Sequence, residues 1–361
     1  MKKVLIDIGH PAHVHLFRNF IKEYKEGCIV TVKDIPSAKD LLKLYNIDFI
    51  ELGQKKDSML GKLQRQFSYN YEVLKIVKRE KIAFGLGTSI TIPHVSKLSS
   101  MKSIVFDDDD DNVQPFFTYF AHPFADALLS PEALKGTRRR KDTIYYAGYH
   151  ELAYLHPKRF TPDPTILKEA GIAEGEKYFI LRFNSFKAHH DIGVKGLSLE
   201  NKRAIIKELS KYGKILITTE REMDEEFKQY KIKVPQDKIH SLIYYAEMLI
   251  GDSQTMTSEA AVLGTPSLRC NTFAGRISYL QEEEDKYKLT YAFLPENFDK
   301  MFTKLKELLN KSDLKQEWQK RRQKLLSEKI DVTSFMLWFV NNYPNSKEIL
   351  KKDPEFQYKF M

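Results

Sequence analysis

The chain predicts an α/β protein made of two doubly wound domains, and three observations carry that prediction. Short apolar runs of strand length, such as Val4–Ile8 and Cys28–Val32, alternate with segments of helical spacing. The alternation breaks over residues 135–165, where Arg138-Arg139-Arg140-Lys141 and Pro157, Pro162 and Pro164 mark a non-helical connection, and it restarts at 177–183. At 361 residues the chain also exceeds what one core of usual size accommodates. The expected organisation is therefore 1–160, 165–330, and a C-terminal helix and tail at 331–361.

Composition narrows the class. With 42% hydrophobic and 30% charged residues the chain reads as globular, not disordered. No uncharged apolar run approaches the roughly 18–20 residues of a membrane span. The apolar start is interrupted by Asp7 and followed by His10-Pro11, so it reads as a first strand and not as a signal peptide. Two cysteines, Cys28 and Cys270, supply neither a disulfide framework nor a zinc set, and the expected compartment is the cytoplasm. A net charge of +9 points to an anionic partner such as a nucleotide, a phosphosugar, nucleic acid or an anionic lipid surface. Without an RNA-binding aromatic strand motif or a zinc finger, nucleic acid is not expected.

After the strand at 4–8, Gly9-His10-Pro11-Ala12 breaks the pattern, and Val14, Phe17 and Ile21 keep helical spacing. Three histidines thus gather where strand one turns into helix one, the edge at which doubly wound sheets bind ligands. His10, His13 and His15 lack an acidic or Cys partner to complete a metal set. His13, at the helix start, is the best placed for catalysis or phosphate contact, with helix capping as the plainer role. Strand, helix and strand follow at 28–32, 37–45 and 49–52. A basic helix then spans 59–79, in which Leu60, Leu63, Phe67, Tyr71, Leu74 and Val77 are expected in the core. Lys62, Arg65, Lys75, Lys78 and Arg79 form a solvated face or a membrane-surface contact. Residues 82–89 make a strand and a turn that sets Gly87, Thr88 and Ser89 at a helix start.

Ile104-Val105-Phe106 runs directly into five aspartates, Asp107 to Asp111. Such a run binds a divalent cation, holds a base of raised pKa, or is a solvated loop. Its place just beyond a strand end favours a site role for Asp107 or Asp108, the later aspartates being loop. Residues 127–134 are expected as the last strand of the first domain. In the second half, the polar loop after 177–183 holds Lys187, His189 and His190, chemically apt neighbours for a diphosphate. The second half culminates in an apolar run, 248–250, then Gly251-Asp252-Ser253 and a helix ending at Gly264-Thr265-Pro266. Ser253, Gln254 and Thr255 open that helix, whose free N–H groups and positive dipole end suit a phosphate. Glu259 lies one to two turns inside. The terminal residues, 351–361, read as a polar, mobile tail.

Gly251-Asp252-Ser253, with Glu259 six positions after Ser253, then Leu263-Gly264-Thr265-Pro266 and Leu268-Arg269, resembles the nucleotide-binding segment of the non-hydrolysing UDP-N-acetylglucosamine 2-epimerases. It is also similar to that of the peptidoglycan N-acetylglucosaminyltransferase. Both have the GT-B architecture, two Rossmann-like domains facing a cleft. The resemblance implies that Ser253, Gln254 and Thr255 meet the diphosphate, that Glu259 holds the ribose hydroxyls, and that Arg269 belongs to the same nucleotide-sugar set. The chain looks still more like a largely uncharacterised archaeal and bacterial family beside them. The motifs are Asp7-Ile8-Gly9-His10-Pro11-Ala12-His13-Val14-His15, Phe106-Asp107-Asp108, Ser130-Pro131-Glu132-Ala133, the run from Gly148 to Leu155, and Lys187-Ala188-His189. They span most of residues 1–330.

Departures bear on the chemistry. The epimerases place an Asp after the turn of the fourth strand, where this chain has Gly87-Thr88-Ser89, and their His-Arg-Arg-Glu-Asn loop is replaced by Phe186-Lys187-Ala188-His189. Ala12-His13-Val14, in contrast, resembles the Gly-His-Val turn of the transferase, whose His lies at the reaction centre. The expected activity is therefore an inverting glycosyltransferase using a UDP-sugar, an N-acetylhexosamine, in surface-polysaccharide or glycolipid synthesis. His13 is the expected base, Asp107 or Asp108 its partner or rival, and Ser253, Thr255, the helix start and Lys187 or His189 stabilise the leaving group. The expected partners are a UDP-sugar donor and a sugar or lipid-linked acceptor, with peripheral contact at the inner face of the membrane. No metal or other cofactor is expected. The rival readings are a 2-epimerase-like or hydrolysing enzyme, and a non-catalytic nucleotide-sugar-binding protein.

Overall fold

A computed structural model describes residues 2–53, 59–183, 196–219 and 223–361. Lys187 and His189 lie outside the described residues. The chain divides into two compact units, Met1–Arg159 with Lys329–Met361, and Phe160–Glu328.

Unit 1 is built on seven parallel strands: β1 (Val4–Ile8), β2 (Cys28–Val32), β3 (Ile50–Glu51), β4 (Phe84–Gly87), β5 (Lys102–Phe106), β6 (Ala127–Pro131) and β7 (Ile144–Tyr146). They lie in the order β3-β2-β1-β4-β5-β6-β7. All five residues of β1 are buried, as a central parallel strand covered on both faces requires. The covering helices are α1 (Pro11–Glu23), α2 (Pro36–Leu44), α3 (Met59–Glu80), α4 (Thr91–Ser96), α5 (Pro115–Phe120) and α6 (Leu152–Leu155). Chain order reverses between β1 and β4, so the loops after these two strands flank the topological switch point. β7 lies within the stretch expected to be connection, so residues 127–134 do not end the sheet. β7 is only three residues long, and its Tyr145-Tyr146 reads locally as aromatic linker.

The apolar stripe of α3 differs from expectation. The expected Val77 is in the core and Leu74 packs against it, joined by Tyr69, Val73 and Ile76 with Leu5, Ile92, Val95 and Met101, whereas the expected Phe67 and Tyr71 are exposed. The helix carries aromatic residues on two faces, and the packed stripe is rotated away from Phe67 and Tyr71 while sharing Val77 with the one the spacing suggested.

Unit 2 holds five parallel strands, β8 (Tyr178–Arg182), β9 (Lys214–Thr218), β10 (Met248–Gly251), β11 (Ser267–Cys270) and β12 (Thr290–Phe293), in the order β12-β11-β10-β8-β9. Its helices are α7 (Thr165–Glu169), α8 (Leu199–Leu209), α9 (Ile239–Tyr245), α10 (Gln254–Leu263), α11 (Ser278–Asp285), α12 (Phe298–Leu309) and α13 (Leu314–Leu326). The switch point here falls between β8 and β10. Gly251 closes β10 because a Cβ there would come within 2.1 Å of the Arg182 carbonyl oxygen. Gly264 ends α10 in the left-handed conformation, at φ 75°.

The chain then returns to unit 1 as α14 (Val332–Asn341) and α15 (Asn345–Lys352). α14 packs on α1 and α6. The final residues are folded rather than a mobile tail. Pro354–Phe360 is a 3₁₀ turn, and the buried Gln357 side chain accepts the Ala147 N–H at 2.6 Å.

Candidate functional site

The loop after β1 opens α1 with Pro11 at the first turn and the His10 ring accepting the Ala12 N–H at 3.2 Å. His10 is thus a cap. His15 stacks on Tyr154, with ring centroids 5.3 Å apart, and meets Arg18 at 3.1 Å, which is a structural role. His13 alone faces the switch point. Gly9 N–H reaches its Nδ1 at 3.3 Å, and Thr88 Oγ1, from the loop after β4, stands 2.6 Å from its Nε2 and 3.0 Å from its Nδ1. Because the Gly9 N–H is directed at Nδ1, the neutral ring places its proton on Nε2 and its lone pair on Nδ1, and Thr88 Oγ1 lies within hydrogen-bond distance of both nitrogens. Burial, followed by the nearby His10 and His150, lowers the His13 pKa to about 3. The ring is neutral at physiological pH.

The aspartate run divides into two kinds of residue. Arg138, fully buried, places Nη1 2.8 Å from both Asp107 Oδ2 and Asp111 Oδ1 and donates to the carbonyls of Asp107 and Asp109 at 2.6 Å. Its Nε donates to Ser130 Oγ at 3.0 Å, and His122 Nε2 sits 2.8 Å from Asp107 Oδ2. Asp107 and Asp111 are therefore bound into the loop's own scaffold. Asp108 is turned to a different neighbour, with Oδ2 3.0 Å from His150 Nδ1. Burial opposes both charges, yet the pair overcomes it. The Asp108 carboxyl is held below its usual range by His150, and the His150 imidazole is raised by Asp108. The buried His150 Nε2 has no hydrogen-bond partner among the described residues. Asp109 goes the other way: burial, then Asp108 and Asp107, push its carboxyl up to about 7.

Asp107, Asp108 and Asp109 bring carboxylate oxygens close enough to hold a cation. The donor set suits one poorly, since Asp107 Oδ2 already serves Arg138 and His122, and Oδ1 accepts the Asp109 N–H at 3.3 Å.

In unit 2, Ser253 caps α10, its side chain accepting the Met256 N–H at 3.3 Å, and Gln254 and Thr255 occupy the first turn, partly exposed. Glu259 is buried, with Oε1 2.9 Å from His240 Nε2, itself buried. Arg269 is buried on β11, where Nη1 donates to Asn271 Oδ1 at 3.2 Å; the Asn271 amide in turn donates to the Asp252 carbonyl at 2.8 Å. Arg269 thereby braces the loop leading to Ser253. Burial lowers its pKa.

Sequence reasoning gave no role to His150 or to Arg138. His150 is paired across 42 positions of sequence with Asp108. His150 lay inside the family-like run from Gly148 to Leu155 without a role of its own, and Arg138 lay in a basic turn too far from the aspartates to be matched with them.

Two parallel-stranded α/β units with loops gathered at their switch points define the GT-B class of fold. The chain belongs to the family described as "Protein of unknown function (DUF354)", whose model matches residues 2–345. An uncharacterized protein of Methanocaldococcus jannaschii is 25% identical over 301 residues, covering 78% of this chain and 86% of its own length. Among solved structures, the UDP-GlcNAc 2-epimerase of Neisseria meningitidis bound to UDP-GlcNAc superposes with a TM-score of 0.62 at 12% identity, covering 97% of this chain and 98% of its own. The Streptomyces sp. SF2575 glycosyltransferase SsfS6 does so with a TM-score of 0.56 at 8% identity, covering 93% and 99%. At these identities the likeness establishes the fold. No helix among the described residues is long and apolar enough to cross a membrane.

Proposed function

We propose that the protein is an inverting glycosyltransferase that uses a UDP-sugar, an N-acetylhexosamine donor, to extend a surface polysaccharide or glycolipid. The observation that carries the reading is the place of His13: an imidazole at the β1–β4 switch point, held by Thr88 Oγ1 and the Gly9 N–H. Inversion needs a base for the proton of the acceptor hydroxyl as that oxygen attacks the anomeric carbon and the diphosphate leaves. His13 Nδ1 takes that proton, and the Asp108 carboxylate favours the imidazolium that forms. His150, held by Asp108, orients the pair. Asp107 has a supporting role, because its oxygens are engaged by Arg138 and His122.

Ser253, Gln254, Thr255 and the N-terminus of α10 receive the diphosphate, with Lys187 or His189 adding positive charge. Glu259 acts through His240 unless the ribose displaces that partner, and Arg269 acts by bracing the loop. No metal enters the scheme. The test is release of UDP from UDP-GlcNAc in the presence of candidate sugar and lipid-linked acceptors, with calorimetric titration of UDP alongside. Absence of binding of any UDP-sugar sinks the proposal, and so does full turnover by His13→Ala.

A 2-epimerase-like activity is the second reading, favoured by the structural likeness to the epimerase. It requires no acceptor, and deuterium incorporation at C2 in D₂O decides for it.

A further inference from the structure

The large exposed apolar side chains are not scattered. Of the eleven among the described residues, seven lie on one part of unit 1. Phe67 and Tyr71 stand on α3, Leu98 follows α4, Phe116, Tyr119 and Phe120 lie on α5, and Phe124 is in the turn after it. Phe67 is 73% exposed and Phe116 61%, so these side chains project into solvent and do not line a groove. Three contacts join the helices that carry them. The Asn70 amide donates to His94 Nδ1 at 3.3 Å, His94 Nε2 donates to the Phe120 carbonyl at 2.7 Å, and the Phe124 ring meets the His94 ring edge-on at 5.2 Å. Phe116 and Phe120 pack on each other with centroids 4.6 Å apart. An exposed apolar patch of this extent on a folded domain marks a surface that meets something.

The charges around the patch specify what it meets. Lys75 Nζ lies 4.2 Å from the Tyr71 ring centroid, and the Arg139 guanidinium lies 5.0 Å from that of Tyr119. The side-chain cations of Lys75, Lys78 and Arg139 have no carboxylate partner among the described residues, although the Arg139 backbone N–H donates to Asp111 Oδ2 at 2.7 Å. Nearby acids are already occupied: Asp126 pairs with Lys97 and Lys102, and Glu72 binds the Gly53 N–H and Ser68. Projecting aromatic rings interleaved with unpaired basic residues match a surface that is fluid, apolar beneath and anionic on top. A second copy of the chain would set these cations against each other, and a protein partner would need pockets for each protruding ring.

We propose that this face, α3 with α4 and α5, seats unit 1 on an anionic lipid bilayer. The inference gives a location to the membrane-surface alternative for the basic helix, whose favoured reading from sequence is a solvated face, and it does not depend on the transferase reading. α4 and α5 begin in the loops that follow β4 and β5, so the bilayer face and the His13 region share those two connections.

The experiment is flotation of the full chain with vesicles of phosphatidylcholine alone and with about 30% phosphatidylglycerol, at low and high salt. The expected result is binding to the anionic vesicles only. Phe67→Ser/Tyr71→Ser/Phe116→Ser/Phe120→Ser should abolish it, and each of Lys75→Gln, Lys78→Gln and Arg139→Gln should weaken it about fivefold. These side chains are solvent-exposed, so an unchanged thermal melt verifies the fold. Equal flotation with both vesicle types, no flotation, or full binding by the aromatic variant overturns the proposal. Self-association in sedimentation that the same substitutions abolish also overturns it, by making the face a dimer interface. No nucleotide sugar is present, so failure here leaves the activity reading untouched, and the reverse.

Discussion

Replacing Arg138 by Met should cost unit 1 a large part of its stability, and the structure sets the size of the loss. The guanidinium is fully buried, bridges Asp107 and Asp111, and satisfies two carbonyls of the same loop together with Ser130 Oγ. Met fills much of the volume but leaves two carboxylates without their cation, and Asp107 keeps only its hydrogen bond with His122. Breaking a buried pair from one side costs about 4 kcal/mol, against a total stability of roughly 5–15 kcal/mol. For a unit of roughly 190 residues this corresponds to a melting point lower by about 10 °C. Calorimetry of the full chain separates the two units' transitions if they are independent, and urea titration gives the free energy. Arg139→Met is the control, since that side chain is exposed and should cost less than about 1 kcal/mol. Adding Asp111→Asn to Arg138→Met should recover part of the loss by removing one unpaired charge. If Arg138→Met costs no more than the control, or the added substitution worsens it, the aspartate loop is not held by this network.

The remaining predictions concern titration, capping and close approach. His13 is lowered to about 3 from 6.5, so its contribution to stability is present above about pH 6.5 and lost as pH falls toward 3. A urea series across that window should show His13→Ala less acid-sensitive than the wild type. Asp109, raised to about 7, holds its proton in the fold, so stability should fall as pH rises from about 4 to 7. Asp109→Asn should therefore stabilise by roughly 1–2 kcal/mol at pH 8 and by little at pH 4, after allowance for partial exposure. Ser253→Ala should cost about 1 kcal/mol as a lost cap. If α10 receives the diphosphate, the same change weakens UDP binding in calorimetry, and an unchanged affinity would argue for a cap alone. Gly251→Ala drives a Cβ into the Arg182 carbonyl and should reduce soluble yield and melting temperature far more than a surface Gly175→Ala.

The two-unit alternation, the place of His13 beside a switch point, and the Ser253 helix start were all legible because each is local in sequence. A strand, a turn and a helix start occupy a dozen neighbouring residues and announce themselves by spacing. What was not legible is paired at a distance. Five consecutive aspartates read as solvated loop or metal site because their partners, Arg138 and His122, come 11 to 31 positions later. Glu259 reads as an accessible carboxylate on a helix, and it is buried because His240 stands opposite. In α3, two aromatic-bearing faces competed, and only packing on Ile92, Val95 and Met101 selects the one that turns inward. Two short strands, β7 and β12, were hidden for a related reason, since three or four residues carry too little periodicity to be seen.

Unit 1 is discontinuous, and this bears on how the protein is made. During synthesis the segment Phe160–Glu328 leaves the ribosome whole and can condense, while the first 159 residues still lack their closing piece. Phe335, Met336, Phe339 and Val340 of α14 come last, and until they arrive the apolar sides of α1 and α6 stay bare. The nascent chain thus carries an open wound through most of its elongation, in the unit that holds His13. Chaperone capture and aggregation should focus on that interval, and a stalled or shortened chain should yield a sound second unit attached to an unfinished first one.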